Sequence, residues 1–366
     1  MDAVLLIGTR KGLWIGRSAD RVAWELEGPV FPMTAVYATC VDTRRDGERG
    51  DGTRLLVGTM SEHWGPQVSW SDDLGATWSE KAGGGIRFPE GTGAALEQVW
   101  QLTPGAQPDE VWAGTQPSAL FRSTDRGETF SLVQSLWDHP HRPEWGAGFG
   151  GQAIHTIVPD PADPDRVTVA MSTGGVYRTE DGGGSWSPHN TGISAYFFPD
   201  PLPEFGQCVH KVATHPQRSD LLYAQNHHGV YRSTDGGDTW VSIADGLPSD
   251  FGFPIVVHPG RPETVYVFPL VADSDRMPPG GVPRVWRSDD AGETWRELGK
   301  GLPDTSYAAV MRDAFSADDG PSHGLAAGLY LGARDGTVHA SDDEGESWRE
   351  VAAHLPDVMS VRAAMV

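Results

Sequence analysis

The stretch Ser71-Asp72-Asp73-Leu74-Gly75-Ala76-Thr77-Trp78 decides the fold, because it recurs through the chain. Five further copies fit the pattern Ser/Thr-x-Asp-x-Gly-x-Thr/Ser-Trp/Phe, and they occupy residues 123–130, 179–186, 233–240, 288–295 and 341–348. The first residues of successive copies lie 52 to 56 positions apart. Regular repeats of that length are typical of propellers and solenoids. We call this pattern the repeat phrase.

Each copy of the repeat phrase predicts a tight hairpin turn. The Asp carboxylate can accept backbone N–H groups, the Gly can adopt a positive φ, and the closing aromatic ring can pack between neighbouring sheets. A degenerate seventh copy, Ser18-Ala19-Asp20 with Trp24 near the aromatic position, precedes the others. Seven repeats account for nearly all 366 residues, so we expect one domain over residues 1–366.

The repeat phrase resembles the Asp-box repeat, also called the bacterial neuraminidase repeat. That repeat occurs in sialidases, sortilin-type receptors, xyloglucan-degrading enzymes and a photosystem II assembly propeller. The resemblance covers the whole chain and implies an all-β, seven-bladed β-propeller with four-stranded blades. It does not imply one function, because these proteins include hydrolases, receptors and assembly factors.

One repeat shows how a blade is built. Short apolar runs at 154–158, 166–172 and 175–178 precede the copy of the repeat phrase at 179–186, and a fourth strand is expected to start at Trp186. Both ends of the chain, Ala3–Ile7 and Met359–Val366, also read as strands. Because pairing the two ends removes free sheet edges, we expect the C-terminal strand to close the ring as the innermost strand of the first blade.

Charge and cysteine content limit the function classes. The formal net charge is −22, with 50 acidic and 28 basic residues, which argues against a nucleic-acid partner. The sequence contains no run of about 20 apolar residues, so a membrane partner is not expected. No signal peptide is visible at the N-terminus. Cys40 and Cys208 fall in distant repeats, so a disulfide is not expected. These features predict a cytoplasmic location.

A functional site is expected where the repeats differ in length. Three consecutive linkers between the closing aromatic and the next inner strand, 78–98, 130–153 and 186–210, span 20 to 24 residues. The other linkers are assigned about a dozen residues each, and they follow Trp24, Trp240, Trp295 and Trp348. Loops longer than a fold requires are commonly functional. By blade topology, these linkers lie on the face opposite the repeat phrases, and the long ones lie around blades three to five. Blade six adds an inserted loop, 269–284, which is expected on the other side of the ring.

The long linkers and adjoining strand ends carry the candidate site residues. Their imidazole, amide, indole and charged groups suit a small-molecule or glycan ligand. The predicted ligand-binding residues are His63, Gln98, Trp100, Gln116, His141, Trp145, Gln152, Gln207, Lys211, Asn226, His227, His228, Tyr307 and Arg334. The predicted catalytic residues are Glu97, His155, Cys208 and His210. One pocket is expected to contain Glu97, Gln98, His155, Gln207, His210 and His228.

Three chemistries compete for this cluster. A glycan-type or ester-type hydrolase would draw its acid and base from Glu97, Asp200, Glu204 or Asp273. A true sialidase is not favoured, because the Arg-Ile-Pro motif of sialidases is absent and their propellers have six blades. A transition metal such as zinc would be held by His155, His210 and His228. Finally, Cys208 would be a nucleophile with His210 two residues away on the same strand face.

The leading hypothesis is therefore a hydrolase-like propeller with a pocket for a small molecule or glycan. The alternative is a non-catalytic scaffold that binds a peptide or a small protein partner. A deep concave pocket would favour the first hypothesis, whereas a broad shallow patch would favour the second.

Overall fold

The computed structural model describes residues 2–44, 52–79, 85–148 and 151–366. Within them, short antiparallel strands dominate, as the density of Gly and Pro predicts. The strands are β1 (Ala3–Thr9), β2 (Gly12–Ser18), β3 (Glu25–Val30), β4 (Ala35–Asp42), β5 (Arg54–Ser61), β6 (Gly65–Ser71), β7 (Gln98–Pro104), β8 (Val111–Gln116), β9 (Ala119–Ser123), β10 (Ser131–Leu132), β11 (Ile154–Pro159), β12 (Val167–Met171), β13 (Gly175–Thr179), β14 (Ser187–Pro188), β15 (Val209–His215), β16 (Arg218–Asn226), β17 (Val230–Ser233), β18 (Val241–Ser242), β19 (Phe251–His258), β20 (Arg261–Leu270), β21 (Val285–Ser288), β22 (Arg296–Leu298), β23 (Phe315–Ala317), β24 (Leu329–Gly332), β25 (Val338–Ser341), β26 (Arg349–Ala352) and β27 (Val358–Met365).

Within the described part of the chain, helical structure is limited to a few short segments. These are the four-residue helix α1 (Gln134–Trp137) and 3₁₀ turns at Arg142–Glu144, Pro279–Gly281 and Gly320–His323. Among the described residues, no helix is both long enough and apolar enough to cross a membrane.

The strands form seven sheets, which are the blades of a propeller. Blade 1 has the order β27-β1-β2-β3, blade 2 contains β4 to β6, and blades 3 to 7 follow along the chain with four strands each. Blade 2 has three strands within the described residues, and the Ser79 N–H donates to the Trp70 carbonyl (2.8 Å) where a fourth strand would start. The predicted seven-bladed, all-β propeller is confirmed.

The C-terminal strand closes the ring. β27 pairs antiparallel with β1, from Ala3 opposite Met365 to Thr9 opposite Val358. Asp2 and Val366 extend the pairing by exchanging backbone hydrogen bonds of 2.8 and 3.0 Å. The predicted closure is therefore confirmed, and it removes the two free edges that separate ends would leave.

The six full copies of the repeat phrase form the same turn in blades 2 to 7. In the first copy, Ser71 Oγ donates to Asp73 Oδ1 (2.7 Å) and accepts the Gly75 N–H (2.8 Å), while the Thr77 N–H donates to Asp73 Oδ1 (2.8 Å). Equivalent bonds surround Asp125, Asp181, Asp235, Asp290 and Asp343. Gly75 has φ +94°, a conformation that side chains disfavour, which explains the Gly in the phrase.

The closing tryptophans of blades 5 and 6 hydrogen-bond to the preceding blade. Trp240 Nε1 donates to the His189 carbonyl (3.0 Å), and Trp295 Nε1 donates to the Ile243 carbonyl (2.8 Å). The Trp240 ring is buried, with 3% of the residue exposed. The repeat phrase therefore both forms a turn and links neighbouring blades.

The inner strands carry β-bulges at one level of the ring. The pairing register shifts around Tyr37, Trp100, His155 and His210, and a further irregularity between Gly252 and Ile255 includes Phe253. A bulge leaves one residue outside the ladder and re-aims its side chain. Three of these residues, Trp100, His210 and Phe253, line one cavity.

One linker is longer than the sequence predicts. The inner strand of blade 7, β23, begins at Phe315 and not near Tyr307, so the segment after Trp295 is about as long as the three long linkers. Tyr307 lies within this segment with 70% of the residue exposed. The short-linker prediction for blade 7 is wrong, because β23 has only three residues and gives little strand signal.

Candidate functional site

A cavity of about 410 Å³ opens on one face of the propeller. Its walls come from blade-to-blade linkers, from the inner strands and from loops between the second and third strands, which share the face opposite the repeat phrases. The lining residues are Trp100, Ala147, Gly148, Ser172, Thr173, Phe197, Cys208, His210, His227, Phe251, Phe253, Asp273, Arg276, Met311 and Arg312. The cavity therefore extends from blade 3 to blade 7, and blades 5 and 6 contribute most of its polar groups.

His210 lies at the bulge of β15 with one ring nitrogen occupied. Its Nδ1 is 2.6 Å from the carbonyl oxygen of Gly252. Because a carbonyl only accepts, Nδ1 carries the proton and Nε2 keeps its lone pair. The ring stacks on Phe253 with centroids 4.7 Å apart. Burial, together with the nearby Arg312 charge, holds the pKa of His210 well below its usual range, so the imidazole is neutral at neutral pH.

Cys208 and His227 lie beside His210. The side-chain Sγ of Cys208 and one ring nitrogen from each of the two histidines all lie within 4.8 Å of one another. The backbone N–H of His227 donates to the Cys208 carbonyl (2.9 Å), which fixes the loop after β16 against the start of β15. Burial raises the pKa of the Cys208 thiol, so the residue is not a preformed thiolate nucleophile. Burial, with His228 nearby, lowers the pKa of His227.

Asp273 and Arg276 come from the inserted loop of blade 6. Asp273 Oδ2 is 3.7 Å from His227 Nε2, and Arg276 Nε donates to the Asp273 carbonyl (3.2 Å). The blade order predicts this loop on the other side of the ring from the site. The structure brings it to the same cavity, because blade 6 directly adjoins blade 5 and the cavity extends across both.

Arg312 is the most unusual group of the cavity. It is 8% exposed, and its guanidinium carbon lies 5.4 Å from the Trp100 ring centroid and 5.8 Å from that of Phe253. Within the described residues its Nε has no hydrogen-bond partner, and no carboxylate lies within ion-pair distance of the guanidinium. Burial lowers the pKa of Arg312, but a guanidinium remains charged at neutral pH.

Among the predicted site residues, Trp100, Cys208, His210 and His227 line the cavity. Glu97 and Gln116 lie outside it and support Trp100. Gln116 Nε2 donates to Glu97 Oε2 (2.7 Å), and Trp100 Nε1 donates to Gln116 Oε1 (3.2 Å). Glu97 is exposed, and Gln98 is half-buried next to it.

His141, Trp145 and Gln152 stabilise the long linker before blade 4. Tyr177 OH is 3.0 Å from both His141 Nδ1 and Trp145 Nε1, and Gln152 Nε2 donates to the Trp145 carbonyl (2.6 Å). The His141 ring also stacks on Phe205, with centroids 4.0 Å apart. These side chains hold the linker in place and do not line the cavity.

Gln207 and Asn226 have a similar supporting position under the linker before blade 5. Both are fully buried, and they donate to backbone carbonyls of that linker, at Pro203 (2.7 Å) and Ser194 (2.9 Å) respectively. His228 contacts Tyr196 of the same linker, with ring centroids 5.7 Å apart.

The remaining predicted residues lie farther from the cavity. Lys211 pairs with Asp313 (2.5 Å) in the channel, and His63 is exposed against Trp64. Tyr307 and Arg334 line a second groove of about 470 Å³, where Arg334 pairs with Asp357 (2.6 Å). Arg276 lines both this groove and the cavity.

The six residues predicted to form one pocket are not brought together, since only His210 among them lines the cavity. The predicted metal set of His155, His210 and His228 is likewise not assembled. Among the described residues, the one cluster with metal-ligand spacing is Cys208, His210 and His227. His155 is fully buried, and His228 turns towards Tyr196.

Arg312, Met311 and Phe253 line the cavity but are not predicted from the sequence. The first two lie in the segment before β23, which was assigned too short. Their signal would have been the length of that segment: the span from Trp295 to Phe315 matches the long linkers already taken as candidates. Phe253 reaches the cavity because the pairing of β19 is irregular, and no local sequence pattern predicts that irregularity.

Comparison with known proteins supports the fold. No protein-family model matches the chain. A probable oligoxyloglucan-reducing end-specific xyloglucanase of Neosartorya fischeri is 26% identical over 225 residues, which are 52% of this chain and 26% of that protein. The chain spans about a quarter of the length of the first curated relatives that it matches.

Two solved structures share the propeller architecture. An ancestral GH74 enzyme has a TM-score of 0.59 and 19% identity, and the match covers 87% of this chain and 38% of that one. YCF48 from Cyanidioschyzon merolae has a TM-score of 0.53 and 13% identity, with 86% of this chain and 84% of that chain covered. At these identities the likeness concerns the fold alone.

Proposed function

We propose that this chain is a hydrolase-type propeller whose cavity binds a small acidic glycan-type molecule, such as a uronic acid unit. The observation that carries the proposal is Arg312, a buried guanidinium at the cavity wall with no carboxylate partner among the described residues. We also propose that the chain is an Asp-box propeller, which the shared hydrogen bonding of the repeat phrases supports, and that it is cytoplasmic, which its two unpaired cysteines support.

The charge balance of the cavity supports an anionic ligand. Burying a charge without a partner is unfavourable, and a ligand carboxylate would remove that penalty. A guanidinium matches a carboxylate with two parallel hydrogen bonds. Arg276 lines the same cavity, and Asp273 is the one carboxylate among the described lining residues. Because the chain has a net charge of −22, its surface repels anions, and a cationic cavity is where an anion would bind in preference to the rest of the surface.

The shape and composition of the cavity support a sugar-sized ligand. Its volume of about 410 Å³ lies within the range typical of small-molecule sites, roughly 300–1,000 Å³. Trp100, Phe251 and Phe253 offer flat apolar surfaces on which a sugar ring can pack. The relatives named as xyloglucanases act on a glycan, which agrees with a ligand of this class.

The groups available for hydrolysis are Cys208, His227 and Asp273. The described lining residues do not include a pair of carboxylates of the usual glycosidase kind, because Glu97, Asp200 and Glu204 do not line the cavity. Asp273 is therefore the proposed acid–base group, and His227, whose Nε2 lies 3.7 Å from Asp273 Oδ2, is placed to orient its carboxylate.

Titration calorimetry with D-glucuronate and D-glucose tests the ligand class. We expect glucuronate to bind wild-type protein and glucose to bind at least ten-fold more weakly, since only the former carries a carboxylate. Arg312→Gln should lose this preference, whereas Arg349→Gln, at an exposed site in the outermost strand of blade 7, should keep it. Equal binding of the two sugars, or an unchanged preference in Arg312→Gln, would overturn the proposal.

A protein-binding scaffold is the second candidate, because the linker before blade 5 exposes an apolar surface. Tyr196, Phe198 and Leu202 are 68%, 41% and 58% exposed. The same calorimetry separates the two candidates, since a scaffold of this kind predicts that neither sugar binds in the cavity.

A further inference from the structure

We propose that Cys208, His210 and His227 form a three-ligand site for a transition metal ion of the zinc type at the wall of the cavity. The proposed metal binding is argued from the geometry of these three residues. A role of the bound ion in hydrolysis rests on the proposed function, because the ion would supply a binding position for water or substrate.

The spacing of the three ligand atoms is close to what zinc requires. They lie within 4.8 Å of one another, and ligands around a tetrahedral zinc ion are roughly 3.5 Å apart, given Zn–N and Zn–S bonds of about 2.0–2.3 Å. His227 is half-buried at the end of β16, so a side-chain rotation there can close the remaining distance. Cys208 and His210 are held by the start of β15, which fixes two of the three ligands.

His210 is already oriented as a metal ligand. Its Nδ1–H donates to the Gly252 carbonyl (2.6 Å), which leaves the Nε2 lone pair available. Metal-binding histidines usually donate their other ring N–H to a carbonyl or carboxylate, and this bond fixes the tautomer. Asp273 Oδ2, 3.7 Å from His227 Nε2, is placed to orient the second imidazole in the same way.

The donor set selects the kind of metal. One thiolate and two imidazoles favour zinc or a similar transition metal over magnesium or calcium, which prefer oxygen ligands. Three protein ligands leave a fourth position open, and that arrangement is typical of catalytic rather than structural zinc sites. Because Sγ and the histidines line the cavity, the open position would face the space that Arg276 and Arg312 also border.

Elemental analysis of the full chain, purified without metal-affinity chromatography, tests the site. The protein is stripped with a chelator, reconstituted with zinc or cobalt(II), and freed of excess metal. We expect about one ion per chain and, for cobalt, the ultraviolet charge-transfer band of a cobalt–thiolate bond. Cys208→Ser should lose the band and most of the metal. Cys40→Ser is the matched control, because Cys40 is also a buried free thiol, and it should retain both.

His227→Ala is a second variant that should weaken zinc binding at least ten-fold at a less buried position, in case Cys208→Ser does not fold. Well below one ion per reconstituted wild-type chain, or metal binding by Cys208→Ser equal to that of wild type, would overturn the metal site. Arg312→Gln should bind metal normally while losing glucuronate. In the wild-type protein, metal binding without glucuronate binding would contradict the proposed function and not the metal site, and glucuronate binding without metal binding would contradict the metal site alone.

Discussion

Arg312, which precedes the inner strand of blade 7, lies with its guanidinium carbon 5.4 Å from the ring centroid of Trp100 in blade 3. The contact crosses the mouth of the central channel, because blades 3 and 7 are not neighbours in the ring. Trp100 in turn is held by Gln116 through its Nε1 (3.2 Å). The cavity is therefore a property of the assembled ring and not of one blade.

The first prediction concerns the stability of Arg312 variants. Removing a buried charge that lacks a partner should not destabilise the fold, so Arg312→Met should melt at or above the wild-type temperature. Binding of an anionic ligand should fall by roughly 10- to 100-fold, since a charge-assisted hydrogen bond contributes about 1.5–3 kcal/mol. Differential scanning calorimetry and ligand titration measure the two effects. A large drop in melting temperature would mean that Arg312 is a structural residue.

The second prediction concerns the closing aromatic of a repeat phrase. Trp240→Ala should destabilise the protein by about 3–5 kcal/mol, because it leaves a cavity between blades 4 and 5 and removes the bond to His189. Ligand binding at the opposite face should persist in the folded fraction. Trp64→Ala is the control: that residue is 75% exposed and should change the free energy of unfolding little in urea denaturation. Equal effects of the two substitutions would contradict a role of Trp240 in holding blades 4 and 5 together.

The third prediction concerns acid stability. Hydrogen bonds from Thr77 and Ser71 lower the pKa of Asp73 to about 2, and bonds from Ser185 and Thr179 do the same for Asp181. The unfolded value is about 3.9, so the folded state binds fewer protons. The stabilisation is complete above the unfolded pKa and is lost as the pH falls from about 4 to 2. Melting temperature against pH should show this loss, and Asp73→Asn should make it less steep. An identical slope in the variant would mean that protonation of Asp73 does not contribute to the loss of stability.

The fourth prediction concerns ring closure. Deleting residues 359–366 removes most of β27 and exposes the edge of β1 and the inner face of its neighbours. Unpaired edges associate, so the truncated chain should aggregate or melt at a much lower temperature. Light scattering during a thermal scan measures both. A monomeric truncated chain with a wild-type melting temperature would show that β27 is dispensable.

The sequence predicts the fold well because each repeat phrase specifies its turn through local bonds. Ser71, Asp73 and Gly75 determine one hairpin without help from the rest of the chain, and regular spacing then sets the blade count. The ends of the chain likewise reveal their pairing, because Ala3–Thr9 and Val358–Met365 are apolar runs that need partners.

The candidate site is less predictable because bulges and distant contacts determine which side chains meet. Trp100, Cys208, His210 and His227 could be named from the long linkers, yet Arg312 could not, since β23 has three residues and its start is not marked. Gln207 and Asn226 appeared as ligand-binding candidates because they are polar residues near the site. Their amides instead satisfy backbone carbonyls of the linker, which depends on tertiary packing that sequence does not state.

The most direct test of the proposed anion site is a crystal structure of the protein soaked with D-glucuronate. We predict that the carboxylate lies within hydrogen-bond distance of the Arg312 guanidinium and that the sugar ring packs against Trp100 or Phe253. A soaked crystal with full-occupancy glucuronate elsewhere on the protein, or with none in the cavity at saturating concentration, would contradict it.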